Sequence, residues 1–222
     1  MTESDNQERL LADHMRARAG APGAAQTILK LALRLPMMAW RTRVESLDRI
    51  PAAGPAVIAS NHGSYLDHFF LAYRMPRPVN FMAAAELFRS PLAGRILSSL
   101  GAFPVKRGSH DHDAIQTAET IIARGGVVVM YPQGGIRPSL AGPPKVGVGL
   151  LALKTGAPVV PAAIIDATTL HRAGFLRLRR MAVRFGDSIR HSAEPAADFA
   201  AAEAASFRVW DAIVELNFSD RG

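Results

Sequence analysis

The sequence contains no cysteine. Disulfides, thiolate-bound zinc and cysteine nucleophiles are therefore excluded, and the composition suits a reducing compartment. The chain also lacks an uninterrupted apolar run near the roughly 20 residues that a membrane-spanning helix needs. Residues 1–20 are polar and charged, without the apolar centre of a secretory signal, so the sequence predicts a protein that stays in the cytoplasm.

Acidic residues are too few to balance the basic ones. The chain has 19 Asp and Glu against 26 Lys and Arg, which gives a formal net charge of +7. This excess indicates an anionic partner, such as a nucleic acid, an anionic membrane surface or a phosphorylated substrate. No helix-turn-helix, aromatic RNA-binding motif or zinc-ligand spacing is visible, so we expect no nucleic-acid partner.

Short apolar runs alternate with helical patterns from Val44 onwards. Apolar residues make up 49% of the 222 residues, enough for one domain with a sizeable core. The alternation predicts a single α/β domain over residues 44–222, with a mixed, mostly parallel sheet flanked by helices. The predicted strands cover residues 55–60, 79–84, 102–106, 126–131, 158–165 and 181–187. The predicted helices cover residues 66–74, 91–100, 111–124, 146–155 and 196–218.

Residues 1–43 are predicted to form a separate N-terminal arm and helical segment. Residues 24–40 are rich in Leu and Met and end on Trp40, and Pro36 should kink or end the helix there. The basic side chains of this segment and its flank are Lys30, Arg34, Arg41 and Arg43. One interpretation is an interfacial helix that binds an anionic membrane peripherally, on the inner face of the cell membrane. The other is a helix packed on the domain surface.

A histidine and an aspartate follow the first long predicted strand. The first block, Asn61-His62-Gly63-Ser64-Tyr65-Leu66-Asp67, lies where the strand gives way to a helical pattern. A tight turn would bring the Asp67 carboxylate back to one ring nitrogen of His62. The other nitrogen would then accept a proton from an alcohol, as the histidine of a Ser-His-Asp triad does. Taken alone, the pairing fits a structural histidine and a helix-capping aspartate somewhat better, and the downstream blocks reverse this preference.

Basic side chains end two other predicted strands. The second block covers residues 101–108 and carries Lys106 and Arg107, and the third block covers residues 127–138 and carries Arg137 after two glycines. Strand ends line the binding crevice of an α/β sheet, so these cations are predicted to converge on one anion. A solvated strand end is the alternative for each cation taken singly.

With a fourth block, residues 157–164, these segments resemble the glycerophospholipid acyltransferases, the superfamily that includes 1-acylglycerol-3-phosphate acyltransferase. The Asn-His-x4-Asp motif of that family matches the first block. The Gly-to-Arg core of its second motif matches residues 101–107, and its apolar motif with a proline matches Val159-Val160-Pro161. The order and spacing of the blocks carry the resemblance over about residues 44–190.

The third block departs from the family pattern, which is usually Phe-Pro-Glu-Gly-Thr-Arg. This chain has Tyr131-Pro132-Gln133-Gly134-Gly135-Ile136-Arg137. Gln133 replaces the glutamate, Gly135 replaces the threonine, and Ile136 moves the arginine one residue along. The family associates this region with the acceptor, so the departures concern acceptor binding more than the base.

The resemblance implies O-acyl transfer from acyl-CoA or acyl-carrier protein to a hydroxyl acceptor, such as 1-acylglycerol-3-phosphate or a related lysophospholipid. Asp67 would orient His62, and His62 would take the acceptor proton so that the oxygen attacks the thioester. No metal or bound cofactor is expected. The residues expected to bind substrate or phosphate are Lys106, Arg107, Gln133, Gly134, Gly135 and Arg137, and the Gly134-Gly135 turn is a candidate for stabilising the oxyanion.

Three alternatives stay open on the sequence. In the first, the acceptor is a different alcohol or an amine, such as an amino lipid or a specialised metabolite. In the second, the protein is a catalytically silent lipid-binding protein, an interpretation that Gln133 and Gly135 favour. In the third, the thioester is hydrolysed, with water in place of the alcohol.

Overall fold

A computed structural model describes residues 23–39, 41–105, 112–137, 139–165, 181–193 and 198–219. The predicted arm at residues 1–22 lies outside the described residues, as do Trp40, Lys106 and Arg107.

The described chain folds into helices and strands that follow the predicted alternation. The helices are α1 (Gly23–Ala39), α2 (Asp67–Ala72), α3 (Pro91–Ser99), α4 (His112–Ala123), α5 (Gly147–Thr155) and α6 (Phe199–Phe218). The strands are β1 (Arg43–Glu45), β2 (Ala56–Ser60), β3 (Asn80–Ala84), β4 (Ala102–Val105), β5 (Val127–Met130), β6 (Val159–Ile165) and β7 (Ala182–Phe185). Short 3₁₀ helices cover Leu47–Arg49 and Ala85–Phe88.

The strands form one seven-stranded sheet in the order β1-β7-β6-β2-β5-β3-β4. The five strands from β6 to β4 are parallel, β7 is antiparallel to β6, and β1 is parallel to β7. The predicted mixed, mostly parallel α/β sheet is therefore confirmed, with each of the predicted strands in it. The sequence did not predict β1, whose three residues are too few for a recognisable run.

The central strands are buried on both faces. In β2, Ile58 packs in a cluster with Phe70 of α2 and Met37 of α1, whereas Val57 packs with α4, α5 and α6 on the other face. This alternation follows from the two-residue period of a strand. Burial on both faces explains why β2 and β5 are continuous apolar runs in the sequence. The strand order and the parallel pairing of β2 with β5 place their carboxyl ends beside each other in the middle of the sheet.

One side of α1 is attached to the domain. Gln26 donates from Nε2 to the Val79 carbonyl at 2.6 Å and accepts from the Val79 N–H at 3.1 Å. The Lys30 ammonium donates to the Met75 carbonyl at 2.9 Å, so this cation is turned towards the domain. The helical period places a row of exposed apolar residues on the opposite side, namely Ile28, Leu31, Leu35 and Met38. The packed-helix interpretation thus describes one side of α1, and an apolar stripe occupies the other.

Pro36 lies inside α1, and the helix continues through Ala39 instead of ending at the proline. Across the described part of the chain, no helix is both long enough and apolar enough to cross a membrane.

Candidate active site

The first block places a buried carboxylate against a histidine. Nδ1 of His62 lies 2.8 Å from Oδ2 of Asp67, and the Asp67 side chain is fully buried. The same oxygen accepts hydrogen bonds from the backbone N–H groups of Gly63 at 2.8 Å and Ser64 at 2.9 Å. Because Asp67 opens α2 directly after this turn, its side chain reaches back over the loop. A carboxylate only accepts hydrogen bonds, so Nδ1 carries the proton and Nε2 is the nitrogen that can accept one.

Asn61 attaches the first block to β6. Its Oδ1 accepts from the N–H of Ile164 at 2.7 Å, and its Nδ2 donates to the carbonyl of the same residue at 2.9 Å. The pair of bonds imitates a continuation of the sheet between β2 and β6, where the ladder between the two strands ends. The asparagine that precedes His62 therefore fixes the position of the loop. Asn61 belongs to the predicted motif, but this physical role could not be read from the sequence.

Gln133 attaches the third block to His62. Its Oε1 accepts from the backbone N–H of His62 at 2.6 Å, and its Nε2 donates to the carbonyl of Ser139 at 2.9 Å. The side chain is buried, with 5% of its surface exposed. A glutamate could accept the first bond but could not donate the second. The amide that replaces the family's glutamate thus has both ends occupied by backbone groups.

Arg137 attaches the third block to the other side of His62. Its backbone N–H donates to the His62 carbonyl at 2.9 Å, so both peptide groups of His62 bind the third block. The Arg137 side chain is exposed, with Nη1 beside Gly142. The backbone of Arg137 therefore positions the histidine, and its guanidinium is presented to solvent on the same loop.

The two glycines of the third block differ in conformation. Gly134 has a φ of +70°, a left-handed conformation that favours glycine, and its N–H donates to the Tyr131 carbonyl at 2.9 Å. Gly135 is outside the left-handed region, and a Cβ placed on it would meet nothing within 4 Å. The Lys145 side chain runs alongside Gly134, and the Lys145 N–H donates to the Pro132 carbonyl at 2.7 Å. Lys145 is an exposed cation next to this turn and was not among the site residues predicted from the sequence.

Two aromatic residues that were not among the predicted site residues, Tyr131 and His68, lie against His62. The ring of Tyr131 stacks on the ring of His62 with centroids 4.2 Å apart. The Tyr131 hydroxyl lies 3.1 Å from Nδ1 of His68. Burial of the hydroxyl raises the pKa of Tyr131 well above its ordinary value, and the negative charge of Asp67 adds to this effect. Tyr131 directly follows the apolar run of β5, which is the signal that the sequence offered. The parallel register of β2 and β5 pairs Ala59 with Met130 and so puts the residues after the two strands side by side.

The structure therefore brings the first, third and fourth blocks together at the carboxyl ends of β2, β5 and β6. His62, Asp67, Gln133, Gly134, Gly135 and Arg137 belong to this region. Lys106 and Arg107 lie outside the described residues; β4, which precedes them, ends at Val105. The arrangement can orient an imidazole as a base and can present cations beside it.

A protein-family model described as Acyltransferase matches residues 41–165 of the chain. A 1-acyl-sn-glycerol-3-phosphate acyltransferase from Bacillus subtilis is 33% identical over 122 residues, covering 54% of this chain and 61% of the relative. A chloroplastic enzyme of the same name from Brassica napus is 29% identical over 139 residues, covering 61% of this chain and 40% of the relative. The chain thus spans less than two thirds of the length of each of these relatives, 61% of one and 40% of the other.

A crystal structure of the 1-acyl-sn-glycerophosphate acyltransferase PlsC from Thermotoga maritima has the same fold. It superposes with a TM-score of 0.64 and covers 89% of this chain and 83% of that chain. The sequence identity is 19%, so the likeness concerns the fold alone.

Proposed function

Because this chain belongs to the Acyltransferase family, we propose that it transfers an acyl group from a thioester donor to a hydroxyl acceptor, with His62 as the general base. The observation that carries the proposal is the 2.8 Å contact between His62 Nδ1 and the buried Asp67 carboxylate. A carboxylate in this place selects the tautomer in which Nε2 is a base. The donor is acyl-CoA or acyl-carrier protein, and the reaction requires no metal or bound cofactor.

The proposed reaction runs through one tetrahedral intermediate. Nε2 of His62 takes the proton of the acceptor hydroxyl as the oxygen forms a bond to the thioester carbonyl carbon. The carbon–sulfur bond then breaks, and the thiolate leaves with the proton that His62 returns. Asp67 stabilises the imidazolium that exists between the two steps. The products are the ester and the free thiol, so the proton count balances.

Backbone groups of the third block are candidates for stabilising the oxyanion. The N–H of Gly134 already donates to the Tyr131 carbonyl. The N–H of Gly135 donates to no other group within the described part of the chain. We therefore propose the Gly135 N–H as a donor to the negative oxygen that forms during attack.

We propose 1-acyl-sn-glycerol-3-phosphate, or a related lysophospholipid, as the acceptor. Relatives from two organisms bear the name of an enzyme acting on this substrate. The exposed cations Arg137 and Lys145 on the loop beside His62 suit a phosphate ligand, with Lys106 and Arg107 as further candidates. Gln133 is buried and fully hydrogen-bonded, so we assign it to holding His62 in place and not to contacting the acceptor.

We also propose that α1 binds an anionic membrane surface peripherally, from the cytoplasmic side. The exposed apolar stripe of α1 and the exposed cations Arg34, Arg41 and Arg43 support this location. Lys30 contributes no charge to that surface because its ammonium binds backbone carbonyls of the domain.

The test is an assay of free-thiol release by the purified protein with long-chain acyl-CoA and a panel of lysophospholipid acceptors. We expect acceptor-dependent release, and we expect His62→Ala to reduce it by at least about 100-fold because the base is lost. Asp67→Asn should also reduce it, because an amide no longer selects the tautomer. The matched control is His112→Ala, which removes an exposed histidine at the start of α4.

Each alternative has its own result in this assay. Release that is independent of any acceptor would identify a thioester hydrolase. Release that requires a phosphate-free alcohol or an amine would replace the proposed acceptor. No release with any donor would support a catalytically silent lipid-binding protein, and a His62→Ala variant as active as wild type would refute the assignment of the base.

A further inference from the structure

Four rings meet beside the first block, from His62, His68, Phe81 and Tyr131. The planes of Tyr131 and His62 are 20° from parallel, so the tyrosine covers one face of the imidazole. His68 approaches His62 and Tyr131 at steep angles, with centroid distances of 5.4 and 5.0 Å. Phe81 of β3 lies 5.1 Å from His68, almost perpendicular to it.

The stacked tyrosine restricts a motion that Asp67 leaves open. Asp67 fixes one edge of the imidazole through Nδ1, but a single hydrogen bond allows the ring to tilt about the bond. Tilting towards the covered face would push the imidazole into the ring of Tyr131. Proton transfer depends on this orientation, because the base must lie within hydrogen-bond distance of the hydroxyl it deprotonates.

Tyr131 is itself fixed by His68. The tyrosine hydroxyl can donate to the neutral His68 ring or accept from the protonated ring, so the 3.1 Å contact suits both states. The raised pKa of Tyr131, which burial causes first and Asp67 second, keeps its hydroxyl protonated. Phe81, buried in β3, packs against the ring of His68. Phe81 thus contacts His68, His68 contacts Tyr131, and Tyr131 covers one face of His62.

We propose that Tyr131 is a positioning residue that holds the His62 imidazole in the orientation for proton transfer, and that His68 fixes Tyr131. The proposal rests on the proposed role of His62 as the base. The resembled family usually has phenylalanine at the place of Tyr131, and a phenylalanine ring can stack in the same way. The hydroxyl and its bond to His68 are then an additional support present in this chain.

The experiment compares Tyr131→Leu, Tyr131→Phe and His68→Phe, with Tyr73→Leu as the matched control. Tyr73 is also a partly buried tyrosine packed on the cluster that contains Phe70, but it belongs to the end of α2 away from the His62 ring. The first measurement is NMR of isotope-labelled histidines, which reports the tautomer and line width of His62 without any substrate. The second is kcat and KM for acyl transfer. Tyr131→Met serves in place of Tyr131→Leu if the leucine variant does not fold.

We expect the wild type, Tyr131→Phe and Tyr73→Leu to show one His62 tautomer, with the proton on Nδ1. Tyr131→Leu should show a broadened signal or mixed tautomers, and its kcat should fall by at least about tenfold while KM stays within about twofold. Tyr131→Phe and His68→Phe remove the same hydrogen bond and keep the stacked ring, so both should lose part of kcat, and less than Tyr131→Leu loses. A purely structural role would lower stability in Tyr73→Leu and Tyr131→Leu alike and leave the His62 signal unchanged.

An unchanged His62 signal together with an unchanged kcat in Tyr131→Leu overturns the proposal. A kcat loss in Tyr131→Phe as large as that in Tyr131→Leu also overturns it, because the hydroxyl and not the ring would then be responsible. If the wild-type protein transfers no acyl group, the proposed function fails. The NMR comparison then still decides whether Tyr131 holds the ring of His62.

Discussion

The side-chain oxygen of Gln133 accepts a hydrogen bond from the backbone N–H of His62 at 2.6 Å. The other end of the same amide donates to the carbonyl of Ser139. Gln133 therefore links the loop that carries His62, the proposed base, to the loop that carries the exposed cations. The position where the resembled family usually has a charged residue serves here as a buried, neutral connection.

Replacing Gln133 by Glu should destabilise the protein. The carboxylate would face the Ser139 carbonyl without a proton to donate, and it would be buried. An unsatisfied buried polar group costs about 1–3 kcal/mol, and more if it is charged. Urea unfolding of Gln133→Glu should show a loss of that size, and kcat should fall with it because His62 loses its fixed position.

The control for this substitution is Gln116→Glu, which makes the same chemical change on the exposed surface of α4. It should alter stability by no more than about 0.5 kcal/mol, as surface substitutions usually do. A Gln133→Glu protein as stable as Gln116→Glu would show that the loop rearranges to accept the charge.

The sheet could be predicted from the sequence because its central strands are buried on both faces and are therefore continuous apolar runs. The contact of His62 with Asp67 could also be anticipated, because both residues lie in one turn. The hydrogen bonds made by the side chains of Gln133 and Asn61 could not be predicted from the sequence. Their partners are 71 and 103 residues away and are backbone groups, which have no signature in the sequence.

The two glycines of the third block should respond in opposite ways to alanine. Gly134→Ala places a side chain in the left-handed region and 3.0 Å from Cγ of Lys145, so we expect a loss of stability. Residues held in such backbone conformations cost about 1–3 kcal/mol. Gly135→Ala meets open space and should stabilise the protein by about 0.4–1 kcal/mol, because the unfolded chain loses freedom.

Thermal unfolding of the two variants, measured side by side, checks this pair. A Gly135→Thr variant, which restores the residue usual in the resembled family, should also fold because its Cβ has room. Equal melting temperatures for Gly134→Ala and Gly135→Ala would contradict the different conformations of the two glycines.

Arg137→Ala should weaken the use of a phosphorylated acceptor and leave the fold intact. The backbone N–H that binds the His62 carbonyl is retained in the variant, so only the guanidinium is lost. A hydrogen bond to a charged group contributes about 1.5–3 kcal/mol, which corresponds to a loss of roughly 10–150-fold in kcat/KM. Arg137→Lys should recover part of the activity, because an ammonium has the charge but not the planar fork.

The measurement compares 1-acylglycerol-3-phosphate with a phosphate-free acceptor and uses a minimal acyl donor without phosphates. Arg95→Ala, an exposed arginine on α3, is the control. Equal losses for Arg137→Ala with both acceptors would mean that the guanidinium has a structural role.

The apolar stripe on α1 should determine binding to vesicles. The double variant Leu31→Glu/Leu35→Glu replaces two stripe residues by negative charges. The two leucine side chains are 54% and 77% exposed, so the folded domain should tolerate the change. Each substitution removes apolar area from the membrane contact and repels anionic headgroups, and both effects weaken binding. Flotation with anionic vesicles at low salt should recover the wild-type protein and leave the double variant in solution.

The charge-matched control is Phe207→Glu with Phe218→Glu. Both phenylalanines are exposed on α6, which covers the opposite face of the sheet from α1. This control should float like the wild type, although it has the same net charge as the α1 variant. Wild-type binding should also weaken as salt is added, since exposed charges are screened beyond about 10 Å at 0.1 M. If both double variants lose flotation equally, net charge and not the α1 stripe governs the association. If the wild-type protein itself fails to float, a soluble acceptor fits the site better than a membrane lipid.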